Sequence, residues 1–255
     1  MLTFVGLGLY DERSITVAGR EAVAAADRVF LERYTSALLG TSSEELAAFH
    51  DVELDVLERE DVETAPEPVL EAAADGDAVV LVGGDPLVAT THVDLRLRAA
   101  ERDIETRIVH GVSIASAAPA LSGLQNYRFG KATTLPFPGT FPDPVPESVR
   151  GTIADNLERD LHTLVFLDID RGEGYLAADV AAEALASTFD DRLGIALARV
   201  GSDDPAVVAD RLDRLADRDL GDPLHVLILP AALHEMEVAA LSTFANAPAD
   251  VLPTT

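Results

Sequence analysis

The chain lacks cysteine and tryptophan, and its 255 residues include a single lysine, Lys131. Without cysteine, disulfides, thiolate nucleophiles and cysteine-ligated metals are excluded together. No apolar run reaches the roughly 18 residues that a membrane span needs, and no basic segment precedes Asp11 and Glu12, unlike in a signal peptide. We therefore expect a cytoplasmic protein with no membrane partner.

Basic residues as a whole are scarce. The 45 acidic residues against 19 basic ones give a formal net charge of -26. This balance argues against nucleic acid as the main partner, because phosphate binding needs clustered Lys and Arg and the sequence contains no basic stripe. A charge this large opposes compaction unless salt screens it, and at ~1 M salt the Debye length falls to about 3 Å. The composition favours a halophilic protein in a salt-rich cytoplasm; the alternative is an ordinary acidic protein.

Apolar runs of strand length alternate with alanine-rich segments of helical length. With 48% hydrophobic residues the chain can bury a sizeable core. The alternation predicts an α/β fold with largely parallel strands, in two α/β domains at residues 1–111 and 112–255. The predicted strands are Leu2–Val5, Arg28–Leu31, Ala78–Val82, Thr106–Val109, Thr163–Asp168, Gly194–Ala198 and His225–Leu229.

Several boundaries of helices and loops carry their own signals. Asp85-Pro86 predicts an N-cap followed by proline at the first helical position, and Asp204-Pro205 predicts the start of a helix that ends near Arg218. Ser113-Ile114 predicts the start of an alanine-rich helix. The segment from Leu135 to Glu147 contains five prolines and predicts a long loop. Such a loop, following Lys131, is a candidate binding element.

Two glycine-containing turns are the most informative segments of the chain. Residues 6–16 (GLGLYDERSIT) and 84–92 (GDPLVATTH) each follow an apolar strand, where an α/β protein presents bare backbone to a small ligand. Gly6 and Gly8, with Glu32 downstream, partly match a dinucleotide-binding fingerprint, but its third glycine would fall on Asp11. A simpler alternative is that these glycines only permit a tight exit from the strand.

Asp85, in the second turn, has two interpretations. It could cap the following helix, or its carboxylate could meet a cationic or hydroxyl-bearing ligand at the rim of a cleft.

The amino-acid sequences of both turns resemble those of one family, the diphthine synthases of the tetrapyrrole-methylase superfamily. The superfamily turn contains Gly-Pro-Gly-Asp, whereas residues 6–13 read GLGLYDER, which is the diphthine-synthase form. The segment at 15–19 (ITVAG) and the GGDP at 83–86 also match. Further matches extend to the end of the chain, at residues 34–36 (YTS), 59–63 (REDVE), 129–131 (FGK), 161–169 (LHTLVFLDI), 198–202 (ARVGS) and 221–225 (GDPLH).

The resemblance implies two α/β domains with S-adenosylmethionine held in the cleft between them. Most of the implied contacts would use backbone groups. Taken one by one, the residues also have structural explanations: Val88, Ile114 and Leu167 fit a core, Ser113 fits an N-cap, and His225 fits a buried structural histidine. The implied cofactor-binding residues are Leu9, Asp85, Val88, Ser113, Ile114, Leu167, Val200 and His225.

The reaction that the resemblance implies is methylation of the amino group of the 3-amino-3-carboxypropyl chain on a histidine of elongation factor 2, in diphthamide biosynthesis, by a homodimer. An α-amino group of pKa ~8 is partly neutral near pH 7, so no general base is demanded. His92, His110 and His162 are candidate proton acceptors, each with a structural alternative. His50 and His234 offer no metal spacing, so we expect no metal. The alternatives are a corrin or tetrapyrrole methyltransferase and a non-catalytic nucleotide-binding protein.

Overall fold

A computed structural model of the protein describes residues 1–35, 37–170 and 172–253. Ser36, part of one motif quoted above, lies outside the described residues. The chain folds as two compact units, Met1–Ile114 and Ala115–Thr255. Within the described ranges, no helix is long and apolar enough to cross a membrane.

The first unit is built on a five-stranded sheet in which every pair of neighbouring strands is parallel. The spatial order is β3-β2-β4-β1-β5. The strands are β1 (Leu2–Gly6), β2 (Arg28–Glu32), β3 (Leu54–Leu57), β4 (Ala78–Val82) and β5 (Thr106–Val109). The helices are α1 (Val17–Ala24), α2 (Ser43–His50), α3 (Arg59–Glu63), α4 (Glu67–Asp75) and α5 (Val93–Glu101).

Burial on both faces explains the composition of the central strands of this sheet. Phe4 and Val80 belong to one apolar cluster, and their neighbours Val5 and Leu81 belong to another. Successive side chains of a strand point to opposite faces, so continuous apolar runs such as residues 78–82 are needed when both faces are covered.

The second unit contains a five-stranded sheet of order β11-β10-β12-β7-β6 and a separate two-stranded hairpin, β8-β9. Only β6 and β7 pair in parallel within the five-stranded sheet. The strands are β6 (Thr133–Leu135), β7 (Thr163–Leu167), β8 (Ile169–Asp170), β9 (Gly174–Tyr175), β10 (Leu193–Ala198), β11 (Ala206–Arg211) and β12 (His225–Leu229). The helices are α6 (Ile114–Ser122), α7 (Glu147–Glu158), α8 (Ala178–Ala186), α9 (Leu212–Leu215) and α10 (Glu235–Phe244).

All seven predicted strands are present, with ends within one residue of those expected, and the α/β class is confirmed. The helix predicted from Ser113-Ile114 is also confirmed, and residues 136–146 contain neither helix nor strand.

Two predictions are wrong in the second unit. Its sheet is largely antiparallel, because β12 lies between β7 and β10 and runs opposite to both. The helix expected from Asp204 to Arg218 is replaced by β11 and the short α9. Six residues of β11 pair with β10 at the sheet edge, and this pairing overrides the local capping signal. Pro205 stands just before the edge strand, where proline removes no ladder hydrogen bond.

Candidate functional site

In the first unit, the loops that follow β1, β4 and β5 meet at the carboxyl edge of the sheet. The amide of Leu7 donates to the carbonyl of Val82 at 2.8 Å, and Gly8 and Gly84 exchange backbone hydrogen bonds of 3.2 and 2.7 Å. The loop after β5 approaches equally closely: a Cβ on Gly111 would lie 2.3 Å from the carbonyl oxygen of Gly84 and 2.8 Å from Gly6. Only glycine permits this approach of three backbones. The two glycine turns singled out in the sequence therefore form one structure.

The loop after β4 is closed by its own hydrogen bonds and is not the start of a helix. The Asp85 carboxylate accepts from the Leu87 amide at 3.2 Å, and the Pro86 carbonyl accepts from Thr90 Oγ1 at 2.8 Å and His92 Nδ1 at 2.9 Å. The predicted helix cap at Asp85-Pro86 is wrong, because α5 begins at Val93. These bonds hold residues 85–92 as a compact turn beside the sheet edge.

A buried pair of polar side chains, His92 and Glu32, lies against this turn. The ring of His92 is fully buried, and its Nε2 lies 3.6 Å from the Glu32 carboxylate at the end of β2. Glu32 in turn accepts from the amides of Tyr34 and Thr35 at 2.5 and 2.6 Å. The chain leaving β2 and the chain leaving β4 are thereby tied to the same buried pair.

Asp85 has a second partner, which the sequence did not identify. Nδ1 of His110 lies 2.7 Å from Asp85 Oδ2, and the Asp85 side chain is only 9% exposed whereas that of His110 is 76% exposed. His110 directly follows β5, so the shared carboxyl edge of parallel strands was the signal that could have indicated this pair.

The other predicted residues of the first unit lie around the same edge. Leu9 and Ile114 are half-buried, and the Leu9 carbonyl already accepts from Ser14 Oγ at 2.6 Å. Val88 is 40% exposed, and Ser113, also half-buried, immediately precedes α6. The structure brings Leu9, Asp85, Val88, Ser113 and Ile114 to the loops that meet there.

The space beside Gly84, where another residue would carry a side chain, is open at this edge. Gly84 has a φ of +73°, and a Cβ built there would find only the Val112 carbonyl oxygen, at 4.0 Å. An open position beside a strand end, next to a mostly buried carboxylate, can receive a small ligand that carries a cation or hydroxyl groups.

In the second unit, the three predicted residues meet at one edge of the mainly antiparallel sheet. His225 begins β12 and pairs with Ala198, the last residue of β10. On the other side, Val226 pairs with Phe166, and Leu167 follows Phe166 as the last residue of β7. Val200 follows two residues after β10 and is buried. Leu167, Val200 and His225 therefore lie near one another within this unit.

The His225 ring is held on both sides. Its Nδ1 accepts from the amide of Ala178, at the first turn of α8, at 3.0 Å, and its Nε2 donates to the Asp222 carbonyl at 3.1 Å. Burial lowers the pKa of His225, and the carbonyl contact only partly offsets this. The ring is therefore neutral at pH 7 and anchors the start of β12, which leaves its backbone as the group that can reach a ligand.

No cluster of three or more metal-ligating side chains occurs among residues 1–35, 37–170 and 172–253. His50 ends α2 and His234 caps α10.

Comparison with known proteins gives consistent results. The sequence pattern of the tetrapyrrole (corrin/porphyrin) methylases matches residues 1–216. The chain is 58% identical to diphthine synthase of Halobacterium salinarum over 260 residues, covering 99% of this chain and all of that protein. It is also 58% identical to diphthine synthase of Natronomonas pharaonis over 264 residues, covering 99% of each.

Solved structures agree with these matches. A crystal structure of diphthine synthase superposes with a TM-score of 0.91 at 41% identity, covering 98% of each chain. A putative diphthine synthase from Entamoeba histolytica superposes with a TM-score of 0.84 at 34% identity, covering 97% of this chain and 99% of the other.

Proposed function

Because the chain belongs to the tetrapyrrole methylases and, within them, to the diphthine synthases, we propose a specific acceptor, cofactor-binding set and assembly for it. It is an S-adenosylmethionine-dependent methyltransferase of diphthamide biosynthesis. The proposed acceptor is the amino group of the 3-amino-3-carboxypropyl chain on a histidine of elongation factor 2.

The observation that best supports this proposal is the meeting of three loops around Asp85. S-adenosylmethionine carries an ammonium group and ribose hydroxyls, and a carboxylate that is 9% exposed beside the open backbone of Gly84 suits either group. The carboxylate of Asp85 and the open space beside Gly84 therefore fit S-adenosylmethionine. When bound, it supplies the electrophilic methyl group.

Within the first unit, the proposed cofactor-binding residues are Leu9, Asp85, Val88, Ser113 and Ile114. Leu167, Val200 and His225 are proposed to contribute from the second unit. The Leu9 carbonyl is already bonded to Ser14, so its contribution would come from its amide or side chain. His225 would contribute through its backbone, since both ring nitrogens are engaged.

The protein's part in the chemistry is mainly positioning. Methyl transfer from a sulfonium to an amine needs the nitrogen, the methyl carbon and the sulfur in line, and holding them so contributes much of the rate enhancement. We propose that the chain acts as a homodimer in the cytoplasm, where elongation factor 2 is found, and that it uses no metal.

The central test is incubation with methyl-labelled S-adenosylmethionine and purified elongation factor 2 that bears the unmethylated intermediate. We expect label on the modified histidine by mass spectrometry, and none on a factor that lacks the aminocarboxypropyl group. Label that enters a tetrapyrrole but no protein would contradict the proposed acceptor.

The Asp85 site can be tested by calorimetric titration. Asp85→Asn keeps the side-chain shape but removes the charge, so we expect S-adenosylmethionine to bind ~10- to 100-fold more weakly, as the loss of a hydrogen bond to a charged group implies. Asp94→Asn, on neighbouring α5, removes an exposed carboxylate paired with Arg98 and should leave affinity within about twofold. If Asp85→Asn binds S-adenosylmethionine as tightly as the Asp94→Asn control does, Asp85 is not part of the cofactor site. Heat of binding with NAD but not with S-adenosylmethionine would contradict the proposed cofactor.

A further inference from the structure

The pairing of His110 with Asp85 determines which ring nitrogen of His110 is available for chemistry. An ionised carboxylate can only accept, so Nδ1 of His110, 2.7 Å from Asp85 Oδ2, carries the proton. In the neutral ring, Nε2 then has a free lone pair. With 76% of the side chain exposed, this nitrogen can exchange protons with substrate and solvent.

The backbone holds His110 at the same place as the predicted cofactor-binding residues. His110 stands between β5 and Gly111, whose close approach to Gly84 brings the two loops together. Asp85 and Val88 lie in one of these loops, and Ser113 and Ile114 lie three and four residues beyond His110 in the other. The imidazole is therefore fixed beside the loops proposed to bind the methyl donor.

The other histidines singled out from the sequence are engaged in buried contacts. His92 donates from Nδ1 to the Pro86 carbonyl inside the fold, and His162 accepts from the Ala231 amide and donates to Glu237 at 3.0 Å each. Both rings are fully buried and out of reach of a protein substrate. His110 differs from them because its ring is exposed while its orientation is fixed by a carboxylate.

On the basis of the proposed function, we propose that Nε2 of His110 is the proton acceptor for the substrate amine and that Asp85 orients the ring and stabilises its protonated form. The ammonium group of the acceptor transfers one proton to Nε2. The freed lone pair attacks the methyl carbon, the nitrogen–carbon bond forms as the carbon–sulfur bond breaks, and the electron pair of that bond stays on sulfur.

The proton count balances at each methyl transfer. The methylated nitrogen leaves with one positive charge, the sulfonium becomes a neutral thioether, and the exposed imidazolium returns its proton to water. The same cycle precedes each further methylation, because a methylated ammonium must again lose a proton before its nitrogen can attack. Imidazole suits this exchange near neutral pH.

The test uses His110→Ala and His110→Asn in single-turnover assays at saturating methyl donor. Asparagine keeps a donor close to the position of Nδ1 and can still bond Asp85, but it cannot take a proton. We expect both variants to react about tenfold more slowly at pH 7, because only about a tenth of an amine of pKa ~8 is neutral there without a base. Their affinity for S-adenosylmethionine should stay within about threefold of that of the wild-type protein.

The pH profile provides a second measurement. In both variants the rate should rise about tenfold per pH unit until the amine itself deprotonates near pH ~8, whereas the wild-type rate should depend less steeply on pH over the same range. Wild-type rates in His110→Asn would show that His110 only orients Asp85, and so would a rate loss matched by loss of donor affinity. Unchanged rates and profiles in both variants would also overturn the proposal. Absence of methyl transfer by the wild-type protein would instead contradict the proposed function.

Discussion

Histidines at four positions of this chain have distinct roles that their surroundings assign. His92 and His162 are fully buried, His225 is nearly so, and His110 is exposed beside a carboxylate. In both His162 and His225, Nδ1 accepts a hydrogen bond from a backbone amide and Nε2 donates one to an oxygen. These two contacts fix the tautomer of the neutral ring. A proton added to either ring would displace a backbone amide that has no other acceptor in that contact.

This arrangement predicts a pH dependence of folding stability. Burial lowers the pKa of both His162 and His225, so the unfolded chain takes up protons first as the pH falls below ~6.5. Their stabilising contribution is complete above that value and decreases below it. We expect the thermal midpoint, measured in molar KCl, to decrease as the pH is lowered from 7.5 to 5.5.

The variant His162→Gln identifies the source of this dependence. It should be ~1–3 kcal/mol less stable at pH 7.5, because the Ala231 amide and Glu237 lose a buried partner. It should, however, lose less stability than the wild-type protein when the pH is lowered to 5.5. Parallel pH curves for the two proteins would rule out His162 as a contributor.

Among the elements of the second unit, the long proline-rich segment at residues 136–146 combines an anchored end with an exposed tip. Val145 is buried in the core of the unit, and Phe137 packs against the same core. Phe141, between them, is half exposed, and a Cβ at Gly139 would have no neighbour within 4 Å. A loop stiffened by prolines loses little entropy on docking, which favours a role in binding the protein substrate.

Lys131 precedes β6, the strand that leads into this loop, and the side chain of Asn156 holds its backbone in place. Its amide donates to Asn156 Oδ1 at 3.1 Å and its carbonyl accepts from Asn156 Nδ2 at 2.8 Å, while the residue itself is exposed. The side chain is therefore presented from a rigid site, where it could meet the carboxylate of the acceptor chain.

We predict that Lys131→Ala and Phe141→Ser each raise the Michaelis constant for elongation factor 2 about tenfold or more and leave affinity for S-adenosylmethionine unchanged. A deletion variant that shortens this loop should not extend beyond Pro144, because removing the buried Val145 would open a cavity in the core. Thr188→Ala, at an exposed position after α8, is a control for substitution in this unit. Unchanged kinetics in both variants would place substrate recognition elsewhere.

At the scale of the whole molecule, acidic residues outnumber basic ones so strongly that arginine cannot neutralise them. The arginines that form ion pairs do so mostly with carboxylates at the surface, where each pair contributes little and is screened by salt. The formal charge of -26 therefore remains largely as self-repulsion at low ionic strength. Among the described residues, Arg13 and Arg218 pair with the buried carboxylates of Asp11 and Asp210. The arginines paired with exposed carboxylates include Arg28, Arg98, Arg102, Arg128, Arg150, Arg211 and Arg214.

We predict that the thermal midpoint rises steeply as KCl is increased from 0.1 M to 2–3 M, because the screening length shortens from about 10 Å to 3 Å or less. Sucrose at the same osmolality does not screen charge, so it should produce a smaller rise at pH 7.5. A midpoint that is flat across the salt series would show that charge repulsion does not limit stability.

The sequence by itself determined those features that depend on local pattern and composition. Parallel strands buried on both faces appear as continuous apolar runs, so β1, β2 and β4 were predicted within one residue. The motif wording around Gly6 and Gly84 identified the family and hence the methyl donor. Net charge indicated a salt-adapted protein without reference to any fold.

Only the tertiary structure decided features that depend on partners distant in the chain. Strand β11 forms because β10 offers it a ladder, although Asp204-Pro205 locally favours a helix. Asp85 lies in a compact turn and not at the start of a helix because Thr90 and His92 both donate to the Pro86 carbonyl. The contact between Asp85 and His110 spans 25 residues and depends on the close backbone approach that Gly6 and Gly111 permit. No local pattern encodes such a contact, since it exists only once the parallel strands align their carboxyl ends.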